Sequence, residues 1–487
     1  MTSERTFRLY IDGEWVEPAA GHYAVINPAT EDVVAEAPEA SRQQVYDACR
    51  AAKAAFPAWS RTRPEERAEI LHRVADVIGK HADDYAPLAQ AETGATSATV
   101  KALQVNVAVQ RFRRYAKGAL EPVEIPLPPT ATESTPLAKG GLLGAVVVRQ
   151  PVGVVTCITS YNNPWANPAG KIAPALAMGN TLVVKPAPQN PLSVYRMAEA
   201  LEEAGLPPGV CNVVSGASTE VGEATVDSPD VDMVSFTGST AVGRAIGAVA
   251  GGQMKRVLME LGGKGAAIVC ADADIAAAVG AIGTTFSFYA GQICTAPTRV
   301  YVHRDVYDHV VQGLAKYAGA LKVGDPTDKD TVVGPVISAA HRDRIEGFLE
   351  SGQDEGAELI AGGTRPALDR GFYVAPTLFA GCTNDMRIVR EEIFGPVVSV
   401  VPFDDEDEAI ALANDSDYGL INYVWSKDAG RAYRIARQLR AGSVDINTVA
   451  QQMEAPFGGS KQSGIGRDRG SFGLHAYSEM QSIVWPS

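Results

Sequence analysis

The chain has 487 residues, 46% of them hydrophobic and 21% charged. That composition and length suit two or more globular domains and exclude a disordered or fibrous protein. A net charge of −14, with no local cluster of Lys and Arg to override it, speaks against a nucleic-acid partner.

The opening MTSERTFRLYIDGEWVEP mixes both charge signs and lacks an apolar core, and no run of about 18 apolar residues follows anywhere. A soluble, cytoplasmic protein with no membrane partner is expected. The six cysteines are scattered without a CxxC pair, and the seven histidines form neither HExxH nor HxH. This argues against a disulfide framework and against a metal site, and suits a reducing compartment.

After short strand material, residues 41–59 and 63–93 carry amphipathic helical patterns, with Ile70, Leu71, Val74, Val77 and Ile78 returning at helical spacing. Residues 121–142 hold Pro and Ser/Thr too densely for a helix and read as an extended arm. From 144 to 260 the pattern becomes strand, turn, helix, repeated: GAVVVRQPVGVVTCIT, then KIAPALAMG ending in Gly179, then TLVVKP, then PLSVYRMAEALEEAG stopped by Gly205, then VCNVVSG. Such alternation predicts a parallel sheet covered on both faces. A second α/β series starts near 265 and runs through 440, and the terminal HAYSEMQSIVW returns to a strand whose unpaired edge needs a partner.

Several segments could carry chemistry, each with a plainer reading beside it. In VDMVSFTGSTAVGRA a buried strand turns at Gly238, Ser239 and Thr240 into a helix, and the free N–H groups at such a turn suit a phosphate. Arg244 and Ala245 stand where a P-loop needs Lys and Ser/Thr, and GxGxxG is absent, so taken alone this segment reads as an ordinary βα turn with a Ser/Thr cap sooner than as a cofactor site. Lys185 ends an apolar strand, where open α/β sheets hold ligands, though by itself the segment favours a solvated lysine at a strand end. Glu260 closes an apolar segment before Gly262 and Gly263, a setting for a general base or for a surface glutamate before a turn. Cys157, Cys211 and Cys270 lie in apolar runs as packing cysteines, whereas Cys294 in FYAGQICTAPTRV follows Gly291 and precedes a turn-like TAPT. That places it where a helix meets a loop. A histidine-paired thiol hydrolase would need a histidine delivered by the fold, with only His303 near in sequence.

Taken in order, KIAPALAMGNTLVVKP (171–186), FTGSTAVG (236–243), MELGGK (259–264), GQIC (291–294), EEIFGPV (391–397) and PFGGSKQSGIGR (456–467) resemble the aldehyde dehydrogenase superfamily. The likeness spans nearly the whole chain, from IDGEWV (11–16) and INPATE (26–31) to the last strand. It implies an α/β, aldehyde dehydrogenase-like fold with a Rossmann-type cofactor domain, an α/β catalytic domain and a β oligomerisation arm. The expected divisions are 1–120 and 144–259 for the cofactor domain, 260–443 for the catalytic domain, and 121–143 with 471–487 for the arm. Residues 444–470 return toward the cofactor domain and line the substrate tunnel. The arm implies a homodimer or homotetramer.

The resemblance makes Cys294 the nucleophile and explains why it needs no histidine: it attacks the aldehyde carbon as a thiolate. The oxyanion would be held by the Cys294 N–H and the amide of Asn162, which stands nine residues before Lys171. Hydride passes to a nicotinamide, a thioester remains, and Glu260 activates water to release the acid. Lys185 would bond the adenosine ribose, Gly238 and Ser239 the pyrophosphate, and Glu392 with Phe394 the nicotinamide ribose and ring. Thr159, Tyr161, Gly216, Phe236, Thr237, Gly243 and Leu261 complete the cofactor surroundings.

Two departures from the family pattern matter. SYNNP replaces the common PWNFP, so Asn163 stands where Phe is usual and beside the preferred donor Asn162. Pro188 stands three residues after Lys185, where many NAD-preferring members carry a glutamate for the ribose 2′-OH, so NAD with tolerance for NADP is expected. Tyr161, Trp165, Asn167, Gly170, Phe286, Phe288, residues 448–455 and Phe457 are expected to wall the tunnel. Their aromatic and apolar character, space at Gly170 and the lack of arginine in these segments point to an apolar or aromatic aldehyde. The alternatives are a CoA-acylating dehydrogenase, against which Glu260 speaks, and a non-catalytic binding protein on the same fold.

Overall fold

Two sheets and an outlying third organise the chain, of which the computed structural model describes residues 6–486. The first five residues and Ser487, part of the expected cofactor domain and arm, lie outside the described residues.

The first sheet runs, edge to edge, Glu14–Val16, Leu9–Ile11, Cys211–Val213, Thr181–Lys185, Val154–Ile158, Met233–Thr237, Arg256–Glu260 and Gly464–Ile465. Its five central strands are parallel, and the outer strands pair antiparallel. Sequence order reverses direction between Val154–Ile158 and Met233–Thr237, so a crevice opens beyond Ile158 and Thr237, where the first connection turns one way and the next turns the other. That is where this fold type leaves room for a ligand.

The second sheet runs Glu358–Ala361, Thr377–Ala380, Val397–Phe403, Arg299–His303, Ala266–Val269, Ile421–Trp425 and Ser443–Ile446, parallel except for its first pair. Both faces are covered, which is why its strands read as unbroken apolar runs. In Ala266–Val269, Ala266 and Ile268 join one hydrophobic cluster while Ala267 and Val269 join another on the opposite face.

Local signals account for the helices. Arg42–Trp59 opens on a capping box in which Ser41 Oγ accepts from Gln44 N at 3.3 Å and Gln44 Oε1 accepts from Ser41 N at 3.2 Å. Val45, Ala48, Cys49 and Ala52 then form its buried stripe. The single periodic stretch 63–93 is in fact two helices, Pro64–Lys80 and Ala82–Thr93, separated at His81. Periodicity survives the break because both helices bury the same side, so hydrophobic spacing alone does not reveal it.

Glu124–Thr132, Gly141–Pro151 and Ser478–Pro486 form the third, antiparallel sheet. Every residue of Glu124–Thr132 is exposed, as is Ser478–Pro486 beyond its first residue. Asn180 ties this terminal region to the first sheet: its Nδ2 donates to Ala175 O at 3.0 Å and Tyr477 O at 2.9 Å, and its Oδ1 accepts from Gly153 N at 3.0 Å.

Candidate active site

Helix Ile275–Ser287 ends in a backbone that side chains rarely adopt. Tyr289, Ala290 and Gly291 follow with φ of 48°, 51° and 72°, and for the two non-glycine residues this costs about 1–3 kcal/mol each. Burial of both and a hydrogen bond from Tyr289 OH to Thr93 O at 3.0 Å hold the turn. A Cβ at Gly291 would come within 2.1 Å of Gly395 O, so this loop rests directly on segment 391–397. Cys294 follows, half-buried, while the other five cysteines are fully buried.

Glu260 ends its strand with a buried side chain whose two oxygens have no hydrogen-bond partner among the described residues. Burial, then the Asp468 carboxylate, push its carboxyl well above the usual range, against the pull of Lys171. Protein atoms surround the Cys294 thiol although part of its surface is open. Burial, then Glu260 and Glu392, push that thiol up to about 12. Burial keeps both groups protonated, and an ionised Glu260 would further oppose formation of the Cys294 thiolate. Alkylation of Cys294 in the unliganded protein should therefore climb about tenfold per pH unit from 7 to 10 without levelling near 9, because the thiolate fraction keeps rising until the raised pKa is passed. Iodoacetamide labelling read by peptide mass spectrometry checks this; a plateau below pH 9 would refute it.

Asn162 is buried, donates from Nδ2 to Gln292 O at 2.9 Å and accepts from Ser160 Oγ at 2.8 Å. Its amide thus reaches the Cys294 loop from the first sheet. Glu392 Oε1 accepts from Gly263 N at 2.8 Å, and burial raises its carboxyl to about 6. A Cβ at Gly262 would lie 2.2 Å from Glu392 Oε2, and one at Gly263 would lie 2.8 Å from Cys294 O. The glycine pair therefore lets both loops close onto the Glu260 strand end. Phe394 has φ of 59°, meets Tyr161 edge-on at 5.9 Å and is pinned through its carbonyl by His341 at 2.7 Å.

At the switch point the residues fit a dinucleotide. Thr159 N donates to Lys185 O at 3.1 Å beside the crevice. Helix Thr240–Gly252 presents its N-terminus there, capped by Ser239, whose Oγ accepts from Val242 N at 3.4 Å. Thr237 Oγ1 is buried without a partner, and the buried Lys185 ammonium has neither hydrogen bond nor ion pair among the described residues. Burial lowers that lysine to about 8, with Glu39 opposing the shift. Gly238 and Gly243 abut Phe236 and Leu261, where a Cβ would stand 2.4 and 2.5 Å from those side chains, and Gly216 similarly abuts Val221 at 2.5 Å.

The tunnel expectations need correction. Gly170 does not open the apolar space expected of it: a Cβ there would lie 1.9 Å from Arg111 Nη1, so a guanidinium takes up that position. Phe286 and Trp165 have no exposed surface; Phe286 belongs to the core of the second sheet, and Trp165 stacks on Tyr85 at 4.9 Å. An alternating aromatic pattern does not say which ring faces a cavity. Phe288 and Asn167 are half-buried, and Phe457 packs with Cys294 on one cluster. Sequence reasoning missed Arg111, Arg469 and Asp468, which the fold brings to this wall. Arg469 was in view within the glycine-rich segment after Phe457, but its orientation depends on a backbone at φ 71° and ψ 157°.

Residues 15–483 match the model of the aldehyde dehydrogenase family. The chain belongs to the aldehyde dehydrogenase family. It is 39% identical over 486 residues to the betaine aldehyde dehydrogenase of Bacillus subtilis (strain 168), covering 98% of this chain and 96% of the relative. It is 40% identical over 478 residues to the geranial dehydrogenase of Castellaniella defragrans, covering 98% of each. Among solved structures, the betaine aldehyde dehydrogenase of Staphylococcus aureus in complex with NAD+ gives a TM-score of 0.93 at 39% identity, covering 98% of this chain and 95% of that one. This aldehyde dehydrogenase is an NAD(P)-dependent enzyme that oxidises an aldehyde to the carboxylic acid. Among the described residues, no helix is long and apolar enough to cross a membrane.

Proposed function

We propose that Cys294 is the nucleophile of this aldehyde dehydrogenase, Asn162 and the Cys294 N–H the oxyanion donors, and Glu260 the base that activates water. The observation that carries the reading is that the Asn162 amide bonds the loop of the half-buried Cys294, while Glu260, whose carboxyl oxygens have no partner among the described residues, acts electrostatically on the same thiol. Asn162 Nδ2 has two hydrogens and spends one on Gln292 O, so the other is available to an oxyanion. Such a donor typically contributes about 3 kcal/mol to the transition state. Sγ, once its proton has passed to solvent, attacks the carbonyl carbon as the thiolate; the oxyanion then collapses as hydride leaves that carbon, and the acyl group stays on sulfur as a thioester. Glu260, once ionised, takes a proton from the water that cleaves it. The dinucleotide, when bound, would accept that hydride.

Lys185, Thr237, Ser239 and the N-terminus of Thr240–Gly252 would hold that dinucleotide, with Glu392 and Phe394 at its nicotinamide end. Segments around the first sheet would form the cofactor domain and those around the second the catalytic domain. NAD is preferred and NADP tolerated. Position 188 carries no carboxylate, but Glu39, held by the Ala217 and Ser218 amides at 2.6 and 3.2 Å, acts on Lys185 and would repel a 2′-phosphate. The test is product analysis with a panel of aldehydes, each cofactor, and CoA present or absent. Free acid formed without CoA is expected, and a requirement for CoA would overturn the role given to Glu260.

The third sheet presents Ile125, Leu127, Met480, Ile483, Val484 and Trp485 to solvent, which suits a homo-oligomeric arm. Light scattering should give a dimer or tetramer that Ile483→Asp with Trp485→Asp dissociates; a monomeric parent would refute it. The six cysteines, all unpaired, suit the cytoplasm.

A further inference from the structure

A cavity of about 130 Å³ opens beside Gly170 and the 448–455 loop, and its charges are unusual for an acidic protein. Arg114, Glu454 and Asp468 line it together with Arg111 and Arg469. Arg114 is neutralised by Glu454 at 2.6 Å and Glu121 at 3.1 Å. Arg111 donates to Ala166 O and Arg469 to Gln451 Oε1, each at 2.6 Å, and neither has an ion-pair partner among the described residues. Burial, then the charge of Arg111, lower the Arg469 guanidinium to about 10, so the two cations act on each other across the cavity. Asp468 offsets part of this charge from the same wall.

Arg469 also lies 4.1 Å over the Phe457 ring, and its field reaches Cys294 and Glu260. Its φ of 71° and ψ of 157° belong to a region that glycine adopts readily and arginine does not. A side chain held at that cost, facing a second unpaired guanidinium, is arranged for an anion.

We propose that the substrate is an aldehyde carrying a carboxylate at its far end, gripped by Arg111 and Arg469. This rests on the catalytic reading of Cys294 above and departs from the apolar aldehyde expected of the sequence, which took no account of arginines delivered by distant segments.

The experiment compares 4-oxobutanoate and 5-oxopentanoate with pentanal and hexanal. At least one oxo acid should exceed the alkanals in kcat/KM by tenfold or more, and Arg111→Gln or Arg469→Gln should cut that ratio at least tenfold, with Arg469→Lys recovering part of it. Arg469→Gly separates binding from folding: the backbone favours glycine, so Tm should hold while the preference for the oxo acid falls. Equal kcat/KM for both classes, or a ratio unmoved in all these variants, overturns the proposal. If no aldehyde turns over, the catalytic reading fails instead, and calorimetric titration of 5-oxopentanoate into Cys294→Ala still reads the cavity. Binding abolished by Arg469→Gly then supports the clamp, and absence of binding in the parent variant refutes it.

Discussion

Cys294→Ala should lower kcat by at least about 10⁴-fold, because no other group on this loop can form the acyl intermediate and the reaction has no uncatalysed route of comparable speed. The remaining cysteines are buried in the two cores and cannot substitute. Dinucleotide affinity should stay within a few-fold, since the residues proposed to hold it belong to other segments. The measurement is reduced-cofactor absorbance under saturating aldehyde together with a fluorescence titration of the dinucleotide. Turnover above one hundredth of the parent rate would remove sulfur from the mechanism.

Glu260→Gln should leave the first half of the reaction and stop the second. One equivalent of reduced cofactor per subunit should appear in a burst, followed by a steady rate reduced about 10²- to 10⁴-fold, the usual weight of a general base. The thioester should then be visible as an acyl mass on the Cys294 peptide after acid quench. The amide keeps the size of the carboxyl, and both oxygens of Glu260 lack partners among the described residues, so the substitution breaks no hydrogen bond there and should fold. If the burst itself is lost, Glu260 serves the thiol rather than the water. Its raised pKa also sets a direction: deacylation should accelerate as pH rises through the carboxyl's elevated titration, since only the ionised form accepts a proton.

Much of the fold could be read from sequence because its signals are local. The parallel strands announce themselves as apolar runs of Val, Ile and Leu, and Gly179 and Gly205 stop their helices in the left-handed conformation, with φ of 92° and 80°. The break at His81 was hidden because it leaves the buried stripe in phase. The candidate catalytic groups were legible only through motif order, since Asn162, Glu260 and Cys294 lie far apart in the chain and no local pattern says that they meet. Side-chain direction was not legible. Nothing in PAGKIAPAL says that Arg111 will occupy the notch at Gly170, and nothing in GRDRG says that Arg469 will turn inward over Phe457. The first depends on packing between two helices well separated in the chain, and the second on a backbone angle that composition disguises.

The contact between Gly291 and Gly395 has a wider consequence. With no room for even a methyl group between them, the turn that precedes the sulfur and the stretch that carries Glu392 are geared together. Laboratory selection for a different redox carrier through positions 391–397 will therefore disturb reaction speed as well, and variants will inherit both traits as a package unless a compensating change arises in the turn at 288–291.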